Sequence, residues 1–395
     1  MRTSTAPPLF GVYVHVPFCL TRCHYCDFVT YTGMEGLRRP YAAALLREAE
    51  VAAAGLGPEP PTVTSVFVGG GTPTLLPPGD LALVLDRLRG LLPFAPGAEV
   101  TVEANPETVD PAVAEGLAAA GATRVSMGAQ SFDDRVLGAL GRPHGAAQTG
   151  RAVAALRAAG IEAVNLDLIF GCPHEDAASW AATLAAAVGL APEHVSAYAL
   201  TIEPATKFGR LVAGGRMAAP DEDLLADRYE ATCAALAATG YRHYEVSNWA
   251  RDDRAPRPGA GIARLPARAS RHNLTYWRRG AYLGLGAGAH EFTGGVRRWN
   301  VPAVPEYLAA VTAGRRPTGG EERLSAAEAA FELLALRLRT ADGLDPAEAA
   351  RLGVDPEGPA VAELRAAGLL AAGGRVALTE KGMFLHGEVV SRLSG

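Results

Sequence analysis

The stretch from Gly11 to Cys26, GVYVHVPFCLTRCHYC, decides how the rest of the chain reads. Its first half packs β-branched and aromatic residues into positions 12–16 and predicts a strand. Its second half places Cys19, Cys23 and Cys26 on a polar loop, marked by Arg22 and Asp27, in the pattern C-x3-C-x2-C. Three thiolates on one short loop can ligate three irons of a [4Fe–4S] cluster and leave the fourth iron open. Zinc is the rival reading. It would recruit His24 or a distant residue as fourth ligand, and no second C-x2-C pair is present. Five cysteines, three of them within eight residues, fit a metal site in a reducing compartment better than a disulfide framework. Cys172 and Cys233 stand alone and are expected to pack.

Outward from this strand the pattern repeats. Short β-branched or aromatic runs at 12–16, 65–68, 99–104, 124–127, 163–169, 194–200 and 242–247 alternate with helical stretches at 41–54, 80–92, 110–120, 146–159, 179–187 and 221–238. Asp80, Asp110, Ser179 and Asp221 suit helix starts, and Gly121, Gly160 and Gly240 suit helix ends. Such repetition predicts an α/β fold with a parallel sheet and helical crossovers. Polar or small residues at 69–73, Asn105, Gln130, Asp167 and Thr201 fall where the strands end, the place where such folds keep their sites.

The remaining chain breaks this rhythm. Segment 251–270 is rich in Arg, Pro, Gly and Ala without periodicity and reads as a surface insertion. From Ser325 an amphipathic run opens on a good N-cap. Helices at 345–352 and 358–367, a strand-like piece at 375–379 and a final helix follow, with a wing-like turn at Gly373–Gly374. This predicts a small, mainly helical, winged-helix-like domain used for packing.

Composition narrows the function classes. The 395 residues allow a large domain and a smaller one. A net charge of −5 gives no general attraction to phosphate backbones, so nucleic acid is not expected as a partner. The opening MRTSTAPPLF has no secretory h-region, and the uncharged Ala-rich run 177–192 is too short and too weakly apolar to span a bilayer. The expectation is a cytoplasmic protein in which that run is a buried helix.

Several further motifs carry chemistry in combination. Gly69-Gly70-Gly71-Thr72-Pro73 directly follows a strand, where glycines let the backbone approach a ligand, and no Walker sequence follows it. Singly, Glu103, Gln130, Arg142 and Asp167 read as caps or surface residues, Tyr13 as core and His15 as structural. His272-Asn-Leu-Thr-Tyr276-Trp277 offers an imidazole, a common axial ligand of heme iron, beside two flat aromatic faces, or a satisfied His followed by core aromatics. The glycine run 284–290 resembles half a dinucleotide fingerprint without its strong preceding strand or acidic partner.

Taken together, these motifs resemble the radical S-adenosylmethionine (SAM) superfamily, whose hallmark is the C-x3-C-x2-C loop with an aromatic, here Tyr25, beside the last cysteine. The resemblance implies a partial (β/α)6 TIM barrel, a cluster on Cys19, Cys23 and Cys26, and SAM chelating the open iron, where electron transfer yields a 5′-deoxyadenosyl radical. It further implies SAM contacts from Tyr13, Tyr25, Gly70, Gly71, Thr72, Glu103, Gln130, Arg142 and Asp167, and a 284–290 segment that closes over the pocket.

Over nearly the whole chain the resemblance is to the subgroup of oxygen-independent coproporphyrinogen III oxidases and HemW heme chaperones. Phe28 stands where the oxidases carry a further cysteine, and about a dozen residues, rather than a longer arm, precede the first strand. Both departures point away from oxidase activity. The 272–277 sequence looks like the HNxxYW motif of the chaperones and implies heme binding by His272, Tyr276 and Trp277, with insertion 251–270 immediately before it as a departure. The resemblance thus implies heme delivery to apo-hemoproteins, membrane-bound respiratory enzymes among them through peripheral contact, and it admits a homodimer. Radical oxidation of coproporphyrinogen III is the alternative, and a radical methyltransferase a further one. The expected organisation is a tail (1–10), a core barrel (11–250), the insertion (251–271), a closing segment with the HNxxYW motif (272–320) and a C-terminal helical domain (321–395).

Overall fold

A computed structural model describes residues 9–252 and 265–394. Most of the expected N-terminal tail and the centre of the expected insertion lie outside the described residues. Twelve strands form one sheet: β1 Phe10–Val16, β2 Val63–Gly70, β3 Phe94–Ala104, β4 Arg124–Gln130, β5 Ala163–Phe170, β6 His194–Ala199, β7 Tyr241–Glu245, β8 Asn248–Arg251, β9 Ala281–Leu285, β10 His290–Thr293, β11 Val296–Asn300 and β12 Thr318–Glu322. The helices of the first half are α1 Arg38–Ala54, α2 Pro78–Leu91, α3 Pro111–Ala119, α4 Asp134–Leu140, α5 Ala146–Ala158, α6 Ala177–Gly189, α7 Lys207–Ala213 and α8 Glu222–Ala238. Those of the second half are α9 Arg271–Trp277, α10 Val304–Thr312, α11 Ala326–Leu338, α12 Pro346–Arg351, α13 Pro359–Ala366, α14 Glu380–Phe384 and α15 His386–Ser394.

Strands β1 to β6 are parallel neighbours in chain order, joined by helical crossovers, and form the partial (β/α)6 TIM barrel. Side chains alternate across each strand, which sorts the sequence onto two faces. Val12, Val14, Val16, Val66, Val68, Val102, Val125 and Val164 point at the helices and are fully or almost fully buried. Each contributes on the order of 1.5–3 kcal/mol of burial. The opposite face carries Tyr13, Ser65, Phe67, Thr101, Glu103, Ser126, Asn165, Asp167 and Ser196, so the barrel interior is polar. That interior is where the fold puts its ligand chemistry.

The expected parallel series ends at β6. The strand predicted at 242–247 becomes the antiparallel hairpin β7–β8, with β8 against β6, because a two-residue turn replaces the helix that a parallel connection needs. On the other flank β9 pairs parallel with β1, and β10, β11 and β12 follow antiparallel. A strand therefore does precede the glycine run at 284–290.

Helix α6, expected to be buried, buries only Trp180, Thr183, Leu184 and Ala187 and leaves an alanine face in solvent. Asp110 and Asp221 cap α3 and α8 as their positions suggest. Ser179 lies at the third position of α6, where Asp176 is the cap, and Asp80 sits inside the first turn of α2. Helices α11 to α15 form the C-terminal helical region, and the strand-like piece at 375–379 contributes two isolated bridges, Leu344 to Val376 and Leu370 to Leu378. No helix of the described residues is long and apolar enough to cross a membrane.

Candidate functional site

At the C-terminal ends of the barrel strands a cavity of about 520 Å³ opens. Cys19, Cys23, Cys26 and Tyr25 line it from the loop after β1, Gly70, Gly71 and Thr72 from the end of β2, and Glu103 from β3. Gln130, Arg142 and Asp167 complete the expected set around the same space. Tyr13 does not join them. It lines a second cavity, its hydroxyl 2.8 Å from His15 Nδ1.

The cysteine loop is held from both sides. Cys19 N–H donates to Tyr31 O at 2.9 Å, and His24 N–H donates to Leu140 O at 3.0 Å. His24 is turned away from the thiols, with Nδ1 2.9 Å from Ala139 O and Nε2 2.8 Å from Lys207 Nζ. That geometry removes the nearby fourth ligand that zinc would need. The three thiols carry no disulfide. Burial pushes the Cys19 thiol up to about 11 and raises that of Cys26, so ligation here exchanges protons for metal.

Arg142 sits under the loop with Nη1 3.2 Å from Cys23 Sγ and Nη2 2.5 Å from Asn105 Oδ1 and 3.0 Å from Gly128 O. Asn105 in turn donates to Thr72 Oγ1 at 2.9 Å. The guanidinium fork, expected to contact SAM, is thus already engaged within the protein, and its buried Nε–H lacks a partner.

The glycine loop forms a cradle. A Cβ on Gly70, whose φ is +109°, would stand 2.4 Å from the His15 ring, and one on Gly71 would stand 2.6 Å from Phe18 O. No larger residue fits, so the backbone faces the cavity directly. Gly70 N–H donates to Glu103 Oε2 at 2.9 Å. Gln130 adopts φ +62°, a conformation non-glycine residues rarely take, at the irregular end of β4. Asp167 accepts from Ser126 Oγ at 2.9 Å and Asn165 Nδ2 at 2.8 Å, and burial raises its pKa.

These observations fit a cluster with a polar nucleoside-type ligand: three free thiols on one loop, an unpartnered buried N–H, a glycine cradle and two half-buried carboxyls. A cluster held by three thiolates offers one iron to a further ligand. Glu103 and Asp167 suit hydroxyl donors, and the exposed glycine backbone suits an amine and a carboxylate.

Burial raises Glu103 to about 7 from an ordinary 4.5. The folded chain then binds this proton more tightly than the unfolded chain. Its contribution to stability is full below about pH 4.5 and is lost as pH rises through about 7. Glu103→Gln is expected to flatten that slope in the ligand-free chain, read from unfolding midpoints across this range. An unchanged slope would assign it to another group.

The expected heme residues divide. Helix α9 closes the opposite, N-terminal end of the strands. His272 is fully buried there, its Nδ1 3.0 Å from Ser65 Oγ and its Nε2 2.8 Å from Tyr276 Oη. Burial lowers His272 to about 3, so the ring is neutral. Tyr276 lines the second cavity, while Trp277 packs toward Leu274 and Tyr244 with the Arg339 guanidinium over its ring. We expect His272→Ala to cost about 3 kcal/mol of unfolding free energy. Denaturant unfolding checks this, and a midpoint matching the unaltered chain would contradict it.

The radical SAM superfamily profile matches residues 13–187, and the HemN C-terminal domain profile matches residues 324–385. Among curated proteins, the heme chaperone HemW of Mycobacterium tuberculosis (strain ATCC 25618 / H37Rv) is 43% identical over 389 residues, covering 98% of this chain and 95% of that protein. This chain belongs to the HemW family. Other HemW proteins extend the match: that of Bacillus subtilis (strain 168) is 34% identical over 85% of this chain and 84% of its own length. The HemW of Escherichia coli (strain K12) is 38% identical over 72% and 70%. The fold is shared with Escherichia coli coproporphyrinogen III oxidase HemN, described as a radical SAM enzyme, at a TM-score of 0.80 and 21% identity over 98% of this chain and 90% of that one. Membership of the superfamily implies a [4Fe–4S] cluster and SAM.

Sequence reasoning missed Ser126, Tyr198 and Glu107, which also line the first cavity. Strand alternation carried the signal for Ser126 and Tyr198, each two residues from an inward-facing polar partner. Glu107, whose Oε2 lies 3.1 Å from His144 Nδ1, had no such signal.

Proposed function

We propose that this chain is a heme chaperone: it binds heme, holds a [4Fe–4S] cluster on Cys19, Cys23 and Cys26 with SAM in the barrel mouth, and delivers heme to apo-hemoproteins. The observation that carries this reading is the near full-length identity to HemW proteins, joined to Phe28 at the position where a further cysteine marks the oxidases. Phe28 is 69% exposed beside the cysteine loop, an apolar ring on the surface.

In this reading Gly70, Gly71 and Thr72 meet the methionyl end of SAM, and Glu103 and Asp167 take its hydroxyls. Arg142 supports the Cys23 thiolate, and Tyr25 walls the cluster. The core spans 11–250, a closing segment 272–320 and a helical domain 321–395. Recipients include membrane-bound respiratory enzymes approached from the cytoplasm, and the reading admits a homodimer.

The test reconstitutes the cluster anaerobically and measures heme binding and coproporphyrinogen III turnover on the same sample. Stable heme binding without protoporphyrinogen formation supports the chaperone. Turnover without heme affinity would replace it with the oxidase.

A further inference from the structure

A second cavity of about 500 Å³ lies between the cysteine loop and the β9–β10–β11 flank of the sheet, within the size range of cofactor sites. Its walls are flat and aromatic. Tyr276 and Tyr282 meet edge to face at 4.7 Å, Phe292 carries the Arg279 guanidinium 4.7 Å above its ring, and exposed Phe28 forms the lip shared with the first cavity. Leaving a Phe ring largely in water forgoes burial that a flat ligand would restore.

Three histidines bear on this space, and two have no free nitrogen. His15 spends Nδ1 on Tyr13 Oη and Nε2 on Val29 O, each at 2.8 Å. His272 spends both nitrogens on Ser65 and Tyr276. His290, on β10, lines the cavity, is solvent-exposed, stacks on Trp299 at 5.7 Å and makes no side-chain hydrogen bond among the described residues. Partial desolvation by the cavity wall and then the Arg297 charge lower its pKa, which leaves a neutral imidazole with a lone pair to donate. Arg279 and Arg297 stand at the rim, both paired with Glu332, and offer guanidinium contacts to carboxylates.

We propose that this second cavity is the heme seat and that His290, rather than His272, supplies the axial imidazole. The assignment rests on the heme-binding reading above. It also gives the 272–277 motif a role: His272 holds the Tyr276 hydroxyl, so that the tyrosine ring faces the porphyrin as a positioned wall.

The test loads the cluster-reconstituted, 15N-histidine-labelled full chain with ferric heme and reads histidine-nitrogen coupling to the heme iron by electron paramagnetic and nuclear double resonance. The oxidised cluster is diamagnetic and leaves the signal clear. We expect coupling in the unaltered chain, its loss in His290→Ala with cluster iron intact, restoration of a low-spin signal by added imidazole, and retention of coupling in His272→Phe. Coupling that survives in His290→Ala, or that is absent from the unaltered heme-loaded chain, overturns the assignment while the chaperone reading stands. An unaltered chain that binds no heme overturns both.

Discussion

Cys23→Ala is expected to leave the chain without a cluster. Three thiols on one loop supply three iron ligands, and the nearest imidazole, His24, is committed to Ala139 O and Lys207 on the far side of the loop. No neighbour replaces the lost sulfur. Cys23 is also the thiol that meets the Arg142 guanidinium, at 3.2 Å, so the substitution removes a thiolate partner and leaves that cation facing an empty site. Iron and acid-labile sulfide per chain, with the brown absorbance, should fall to background after anaerobic reconstitution. Cys172→Ala and Cys233→Ala serve as controls, because both thiols are buried and neither lines the first cavity, so the iron content should stay unchanged. A Cys23→Ala chain with the iron content of the unaltered protein would refute the assignment.

Arg142→Ala should weaken SAM binding on the order of 100-fold, about 2.7 kcal/mol, the size of a buried charge-assisted contact plus the acceptors it strands. The side chain ties Cys23, Asn105 and Gly128 together, and Asn105 carries the tie on to Thr72 of the glycine loop. Removing it loosens both halves of the ligand cradle and takes away the positive charge beside the thiols. Arg142→Lys should recover only part of the affinity, since a point charge cannot reproduce the planar fork. Equilibrium SAM binding to reconstituted protein reads the effect, and near-normal affinity in Arg142→Ala would mean that the network is scaffold alone.

The barrel was legible because each core strand sets buried apolar residues at alternate positions, and because helix starts such as Asp110 and Asp221 follow local rules. Strands β9 to β12 were not, since GGVRRWN and TGGEE carry little β signal and depend on pairing with β1 for their order. In the site, the thiols and the glycines announced themselves by spacing. The Cys23–Arg142–Asn105–Thr72 chain did not, because its members are far apart in sequence and meet only when β2, β3 and β4 align. The 272–277 motif shows the same limit at finer scale: helical spacing places His272 and Tyr276 on one face but cannot say that Ser65 waits beneath that face. His290 was hidden for a related reason. Its segment resembles half a dinucleotide fingerprint until β9 pairs with β1 and folds β10 back over the cavity.

The central claim is delivery, and handover measures it most directly. The reconstituted chain, loaded with one equivalent of heme and supplied with SAM, is mixed with the apo form of a respiratory hemoprotein, and the recipient's heme absorbance and activity are followed. The account predicts transfer that matches the heme lost from the chain and that fails with Cys23→Ala. Heme that stays on the chain, or passes to the recipient no faster than free heme and regardless of Cys23, would contradict it.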